Sequence, residues 1–146
     1  MKEHPILFKT PMVRAILDGA KTETRRPAKN NSLPYGPGDL LWVRETWAKN
    51  EKGEIVFKAD TPDYPTKWKS PIFLFKQDAR IWLRVLAVKL HYLCEIKESD
   101  AREEGFGNGQ EFIDYWDKMY AKKPEYQSMN SPLVWVVRFE WVDHDR

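Results

Sequence analysis

Apolar positions along the chain repeat with two periods, and the change from one to the other divides it into elements. Met12, Val13, Ile16, Leu17 and Ala20 recur at helical spacing. Thr10 suits the N-cap of that helix, Pro11 its first position, and Gly19 supplies the stop. From Thr22 the period becomes two. Thr22, Thr24 and Arg26 then share one face of an extended segment, Glu23 and Arg25 take the other, and Pro27 confines the segment to a short or edge strand. Short strands are also predicted at 6–9, at 40–45 after the turn Pro37-Gly38-Asp39, and at 54–58 after Gly53. Two longer ones follow. Residues 80–90 alternate Ile81, Leu83, Val85 and Ala87 with Arg80, Trp82 and Arg84, and 133–142 alternate Leu133, Trp135, Val137, Phe139 and Trp141 with a mixed face.

Two further helices interrupt this β pattern. Ser99 can cap a short acidic helix ending at Gly105, and 110–121 sets Phe112, Trp116, Met119 and Tyr120 near one stripe, the spacing of a helix packed on a barrel. Proline-containing stretches at 61–71 and 122–132 read as mobile loops. No repeat or low-complexity tract is present.

Composition narrows the reading. A chain of 146 residues with seven Trp, seven Phe and six Tyr can bury a sizeable core, so one domain spanning 1–146 is expected. The net charge of +2 is unevenly spread: residues 1–29 carry a local +4 and residues 95–117 a local −6. Tight duplex binding through phosphates would need a broader basic surface. Cys94 is the sole cysteine, which rules out an intrachain disulfide, and it reads as a small buried hydrophobe beside the long strand. His4, His91 and His144 are far apart and no Cys/His pair has ligand spacing, so no metal and no cofactor is expected. No apolar run reaches membrane-spanning length and residues 1–5 lack a signal-type hydrophobic region, so a cytoplasmic protein without a membrane partner is expected. Nothing in the sequence fixes the oligomeric state.

Candidate chemistry concentrates in Gly19-Ala20-Lys21-Thr22-Glu23-Thr24-Arg25-Arg26, where an amine leaves a helix end and a hydroxyl follows on an extended chain. An amine beside a hydroxyl is a nucleophile pair if the fold keeps them together. Capping and solubility account for each residue separately, since cations suit a helix C-terminus and Thr suits a strand.

The pattern Gly-x-Lys-x-x-x-x-Arg, here Gly19, Lys21 and Arg26, resembles the signature of the ASCH domain. That resemblance implies an α+β fold: a small mixed β-barrel with flanking helices, related to the PUA RNA-binding fold. Many ASCH members carry Glu where this chain has Thr24. The small bacterial ASCH enzymes that hydrolyse N(4)-acetylcytidine carry threonine there, within Lys-Thr-x-Thr-x-Arg, and this chain reads Lys21-Thr22-Glu23-Thr24-Arg25-Arg26. In those enzymes the lysine, that threonine and a downstream glutamate form the catalytic set. The glutamate lies in a short acidic helix, for which Ser99-Asp100-Ala101-Arg102-Glu103-Glu104-Gly105 is the matching stretch and Glu104 the best match, with Glu103 next. Residues 38–47 and 135–139 also look like ASCH-like proteins of phages and prophages, while the likeness is patchy over 49–71.

The resemblance implies hydrolysis of an N(4)-acylated cytosine nucleoside, with Thr24 as nucleophile, neutral Lys21 as base and Glu104 orienting the lysine or carrying a proton. If Lys21 stays charged, it would serve as an oxyanion stabiliser and Glu104 as the base. Arg26 is expected to position the substrate or to pair with Glu45 and shape the pocket. Tyr35 and Trp47 are candidates for stacking on the pyrimidine. The alternative is a PUA-like module that binds RNA or a modified base without turnover, through Arg25, Arg26 and Lys29 and an aromatic ring.

Overall fold

The computed structural model describes residues 1–29 and 32–143, so His144 lies outside the described residues. Seven strands and three α-helices follow the order β1 (Glu3–Leu7), α1 (Thr10–Leu17), β2 (Glu23–Pro27), β3 (Leu40–Arg44), β4 (Trp47–Lys49), β5 (Ile55–Phe57), β6 (Trp82–Tyr92), α2 (Glu98–Glu103), α3 (Gly109–Met119) and β7 (Leu133–Val142). The class is α+β. Five strands form one sheet in the order β1-β3-β6-β7-β2, with β1 parallel to β3 and every other pair antiparallel, and β4 and β5 form a separate ribbon.

The expected barrel is not closed. No ladder joins β1 to β2, the two outer strands, among the described residues. They come close all the same: the Arg26 guanidinium of β2 donates to the Leu7 carbonyl of β1 at 3.0 Å through Nη2 and lies 4.8 Å from the Phe8 ring. The sheet is curled rather than closed, and a side chain, not a row of backbone hydrogen bonds, spans the seam.

Helix α1 covers one face of the sheet. Met12, Val13 and Ile16 from its apolar stripe pack with Ile6, Phe8, Leu41, Val43, Leu83, Val85, Val137 and Phe139 in the main core. A second core joins Leu93, Ala101, Phe112 and Trp116 to Val134 and Val136, so β7 is buried on both faces where α3 covers it. Residues Val85 and Ala87 of β6 flank a β-bulge. The extra residue shifts the alternation, which is why Ala87, expected inside, is exposed and Val88 packs against the core instead.

Local departures from expectation have local causes. Lys9, not Thr10, is the N-cap of α1 and makes no side-chain cap, whereas Asn108 caps α3 by accepting from the Glu111 amide at 2.9 Å. Helix α2 begins one residue before Ser99, and the Asp100 carboxylate accepts from the Lys97 amide at 2.9 Å. Cys94 is exposed rather than buried: in the short turn Leu93–Glu95, Leu93 takes the inward position and Cys94 is turned to solvent. Of the stretches read as mobile loops, 122–132 carries two short 3-10 turns, at Pro124–Tyr126 and Ser128–Asn130, and 61–71 ends where the turn Pro71–Phe73 begins. Among the described residues no helix is long and apolar enough to cross a membrane.

Candidate active site

The segment between α1 and β2 is held from three sides. Gly19 takes φ +79°, the left-handed conformation that ends a helix without steric cost, and the Lys21 amide donates back to Ala15 at 3.0 Å. Thr22 then points its two backbone groups to opposite sides: its carbonyl accepts from Phe139 of β7 at 3.0 Å, and its amide donates to Glu103 at 2.7 Å. Lys21 and Glu104 form an isolated antiparallel bridge beside that bond. The end of α2 is thereby stitched to the outer edge of the strand that carries Thr24. Gly105 makes the approach possible, since a Cβ there would stand 3.0 Å from Ala15 Cβ and 3.4 Å from Lys21 Cβ at a φ of +100°.

Lys21, Thr24 and Glu104 are only 3%, 3% and 2% exposed. The Lys21 ammonium donates to Glu104 Oε1 at 2.8 Å and to the Glu104 carbonyl at 3.0 Å, while Arg25 Nη1 donates to Glu104 Oε2 at 2.9 Å. One carboxylate therefore serves two buried cations. Arg25 extends the network to Glu23 at 3.1 Å and to Asp100 at 3.6 Å. Arg26 Nε donates to Thr24 Oγ1 at 3.2 Å. The Thr24 oxygen thus receives a charge-assisted hydrogen bond and its own proton is left to be donated elsewhere.

Burial lowers the Lys21 pKa below its ordinary value of 10.5; Glu104 opposes that shift, and the fields of Arg26 and Arg25 add to it. The net effect favours the neutral amine more than in water. Glu23 moves the other way, raised to about 7 by burial and by its hydrogen bond with Glu103. Glu23, Asp100 and Glu103 bring one carboxylate oxygen each within 4.8 Å of one another, and the Arg25 guanidinium supplies positive charge to the first two.

These side chains line a partly enclosed cavity of about 120 Å³. Lys21, Thr24, Arg25, Arg26 and Glu104 make its polar part, and Phe106, Phe112, Tyr115, Trp116, Met119 and Tyr120, mostly from α3, make its apolar wall. Trp116 is fixed by donation from its indole to the Tyr126 carbonyl at 2.6 Å, and Tyr115 packs against Phe106 with ring centroids 5.3 Å apart. The Tyr115 hydroxyl is buried and has no hydrogen-bond partner among the described residues. Burial raises the Tyr115 and Tyr120 phenols, with Arg26 pulling both back, so both remain protonated near neutral pH.

The structure brings Lys21, Thr24, Glu104 and Arg26 to one cavity and sets Tyr35, Glu45 and Trp47 elsewhere. Arg26 does not pair with Glu45. Glu45 is 1% exposed and is held by Arg80 through two bonds of 2.9 and 3.0 Å, its own pKa raised by burial. Tyr35 packs beside the main core against the His4 ring, 5.7 Å away. Trp47 lines a separate surface cleft with Trp68, Lys69, Ser70, Phe73 and Phe75, and its indole donates to Ser70. Sequence reasoning missed Tyr115, and it gave Arg25 to RNA phosphates without its pairing with Glu104. The period of two separates Arg25 from Thr24, but Glu104 sits off the strand edge, where a residue of the opposite face reaches it. The α3 stripe, read as packing alone, packs and also walls the cavity; its regular aromatic spacing was the available signal.

The curled five-stranded sheet with its flanking helices is an ASCH-like α+β fold. Neither a protein-family model nor a curated protein matches the sequence. The chain is similar to the crystal structure of an ASCH domain from Lactobacillus crispatus, with TM-score 0.56 and 14% identity over 98% of this chain and 81% of that one. It is also similar to the hypothetical protein PH0355, with TM-score 0.57 and 12% identity over 97% and 100% of the two chains. A third likeness is to protein EF3133 from Enterococcus faecalis, with TM-score 0.53 and 13% identity over 100% and 85%. At these identities the likeness speaks for the fold.

Proposed function

We propose that this protein is an amidohydrolase that removes the acyl group from N(4)-acylated cytosine nucleosides. The observation that carries the reading is the buried Lys21–Glu104 pair, 2.8 Å apart, in the same aromatic-walled cavity as the Thr24 hydroxyl. A binding module has no use for a desolvated amine beside an alcohol whose oxygen already accepts from a guanidinium.

The steps follow from the donors and acceptors present. Neutral Lys21 accepts the Thr24 hydroxyl proton as Oγ1 attacks the acyl carbon of the substrate. Arg26 stabilises the charge developing on that oxygen. The carbon–nitrogen bond breaks, the exocyclic amine leaves with the proton held by Lys21, and the acyl group remains as an ester on Thr24. Water then attacks the ester, gives a proton back through Lys21, and releases a carboxylic acid and free Thr24. Glu104 holds the lysine in place and stabilises its cationic form during transfer.

The test follows release of the parent base from N(4)-acetylcytosine, N(4)-acetylcytidine and N(4)-acetyldeoxycytidine by chromatography. Wild type should turn over at least one of them, and Lys21→Ala, Thr24→Ala and Glu104→Gln should each lose at least about a hundredfold, the lower end of general acid–base contributions. Stoichiometric binding without product, unchanged in Thr24→Ala, would refute the hydrolase and leave a modified-base reader.

A further inference from the structure

Four cations, Lys9, Lys21, Arg25 and Arg26, line the cavity against a single carboxylate, Glu104. They are not equally balanced. Lys21 and Arg25 share Glu104, and Arg25 also reaches Glu23 and Asp100. Arg26 bonds to a hydroxyl and a carbonyl, both neutral, and Lys9 engages no carboxylate among the described residues. Two positive charges that line the cavity are therefore left without a carboxylate. Lys9 is exposed and Arg26 half-buried, which puts the surplus toward solvent and the neutralised pair inside.

The surroundings reinforce that sign. Lys9 directly precedes α1, whose first turn contains no acidic residue and receives no side-chain cap. The field of Arg26 also reaches the phenols of Tyr35, Tyr115 and Tyr120. A neutral nucleoside would leave both cations without a counter-ion. A phosphate ester would meet them, because a guanidinium and an ammonium lining one cavity both suit its tetrahedral oxygens.

We propose that the substrate of this site bears a phosphate next to the modified cytosine, bound by Arg26 and Lys9, so that nucleotides are preferred over nucleosides. This inference rests on the hydrolase reading for its base and acyl group, but the phosphate part stands on charge alone. A terminal phosphate of a mononucleotide and an internal phosphodiester of an RNA share this chemistry.

Three matched substrates separate the sources: N(4)-acetylcytidine, its 5′-monophosphate, and a short oligoribonucleotide carrying one internal N(4)-acetylcytidine. Wild type should process at least one phosphate-bearing substrate about tenfold or more faster in kcat/KM than the nucleoside, and the advantage should shrink as salt is raised. Lys9→Gln should cut the ratio of phosphate-bearing to nucleoside kcat/KM several-fold. Preference for the monophosphate identifies a nucleotide enzyme, and preference for the oligomer an RNA enzyme. A ratio of one or below for both overturns the proposal even if the nucleoside is hydrolysed well. Should no substrate turn over, calorimetric binding of cytidine 5′-monophosphate against cytidine still decides: tighter binding of the monophosphate, weakened by Lys9→Gln, supports the phosphate site, and equal binding overturns it.

Discussion

Glu104→Gln is the sharpest probe of the buried network, because a single carboxylate satisfies two cations that water cannot reach. The wild-type side chain is 2% exposed and accepts from Lys21 at 2.8 Å and from Arg25 at 2.9 Å. Glutamine keeps the shape and one acceptor but removes the charge. Breaking a buried ion pair by neutralising one partner costs about 3–5 kcal/mol. A chain of this length loses stability at about 0.3 kcal/mol per degree near its midpoint, so Tm should fall by roughly 10–17 °C at pH 7. Arg25 retains Glu23 and Asp100, so most of the loss falls on Lys21. Lys21 has a way out: with Glu104 gone, only burial and the two arginines act on it, and all three lower its pKa further. A lysine whose folded pKa lies below its unfolded value binds fewer protons in the folded state, so the stability of the variant should rise with pH relative to wild type. The deficit thus shrinks as pH rises toward the ordinary lysine value of 10.5. Urea unfolding of both proteins at several pH values between 6 and 10 measures this. A deficit under about 1 kcal/mol at pH 7, or one that does not change with pH, would refute the reasoning, because it would mean that solvent screens the pair.

Two smaller changes test the cavity and its neighbourhood. Tyr115→Phe removes a buried, cavity-lining hydroxyl that has no hydrogen-bond partner among the described residues, an arrangement that costs about 1–3 kcal/mol, so the free protein should keep or gain stability while kcat/KM falls; a lower Tm with unchanged kinetics would show that the hydroxyl serves the fold. Glu23, raised to about 7 from the ordinary 4.5, binds its proton more tightly in the folded state, so its contribution is full below pH 4.5 and lost as pH rises through 7. The stability difference between wild type and Glu23→Gln should therefore move in favour of the variant by about 1–3 kcal/mol from pH 5 to pH 8, and a difference constant with pH would contradict the shift.

Much of the architecture was legible because it follows from short-range pattern. The switch from helical spacing at Ile16 to alternation at Thr24 marks the α1–β2 junction, and the alternation of 133–142 coincides with β7. What alternation cannot carry is how a sheet ends. Whether its outer strands meet depends on twist and on single contacts such as Arg26 to Leu7, and one bulge near Val85 is enough to turn Ala87 outward. Cys94 shows the same limit on a smaller scale, since a one-residue phase in a short turn decides whether it or Leu93 faces the core.

The two buried glutamates show where the candidate site could and could not be read. Glu45 and Glu104 are almost equally hidden, and in sequence each stands near basic residues. Arg80 closes both oxygens of Glu45 with a planar two-point contact, which fixes one conformation. Glu104 divides its oxygens between a guanidinium and an amine, and burial lowers the pKa of that amine. Local sequence does not distinguish these cases, because the partner that matters is set by the approach of α2 to the strand edge, 83 residues away along the chain. The difference in partner, not the difference in burial, is what makes one acid a strut of the fold and gives the other a titratable neighbour in the cavity that Thr24 also lines.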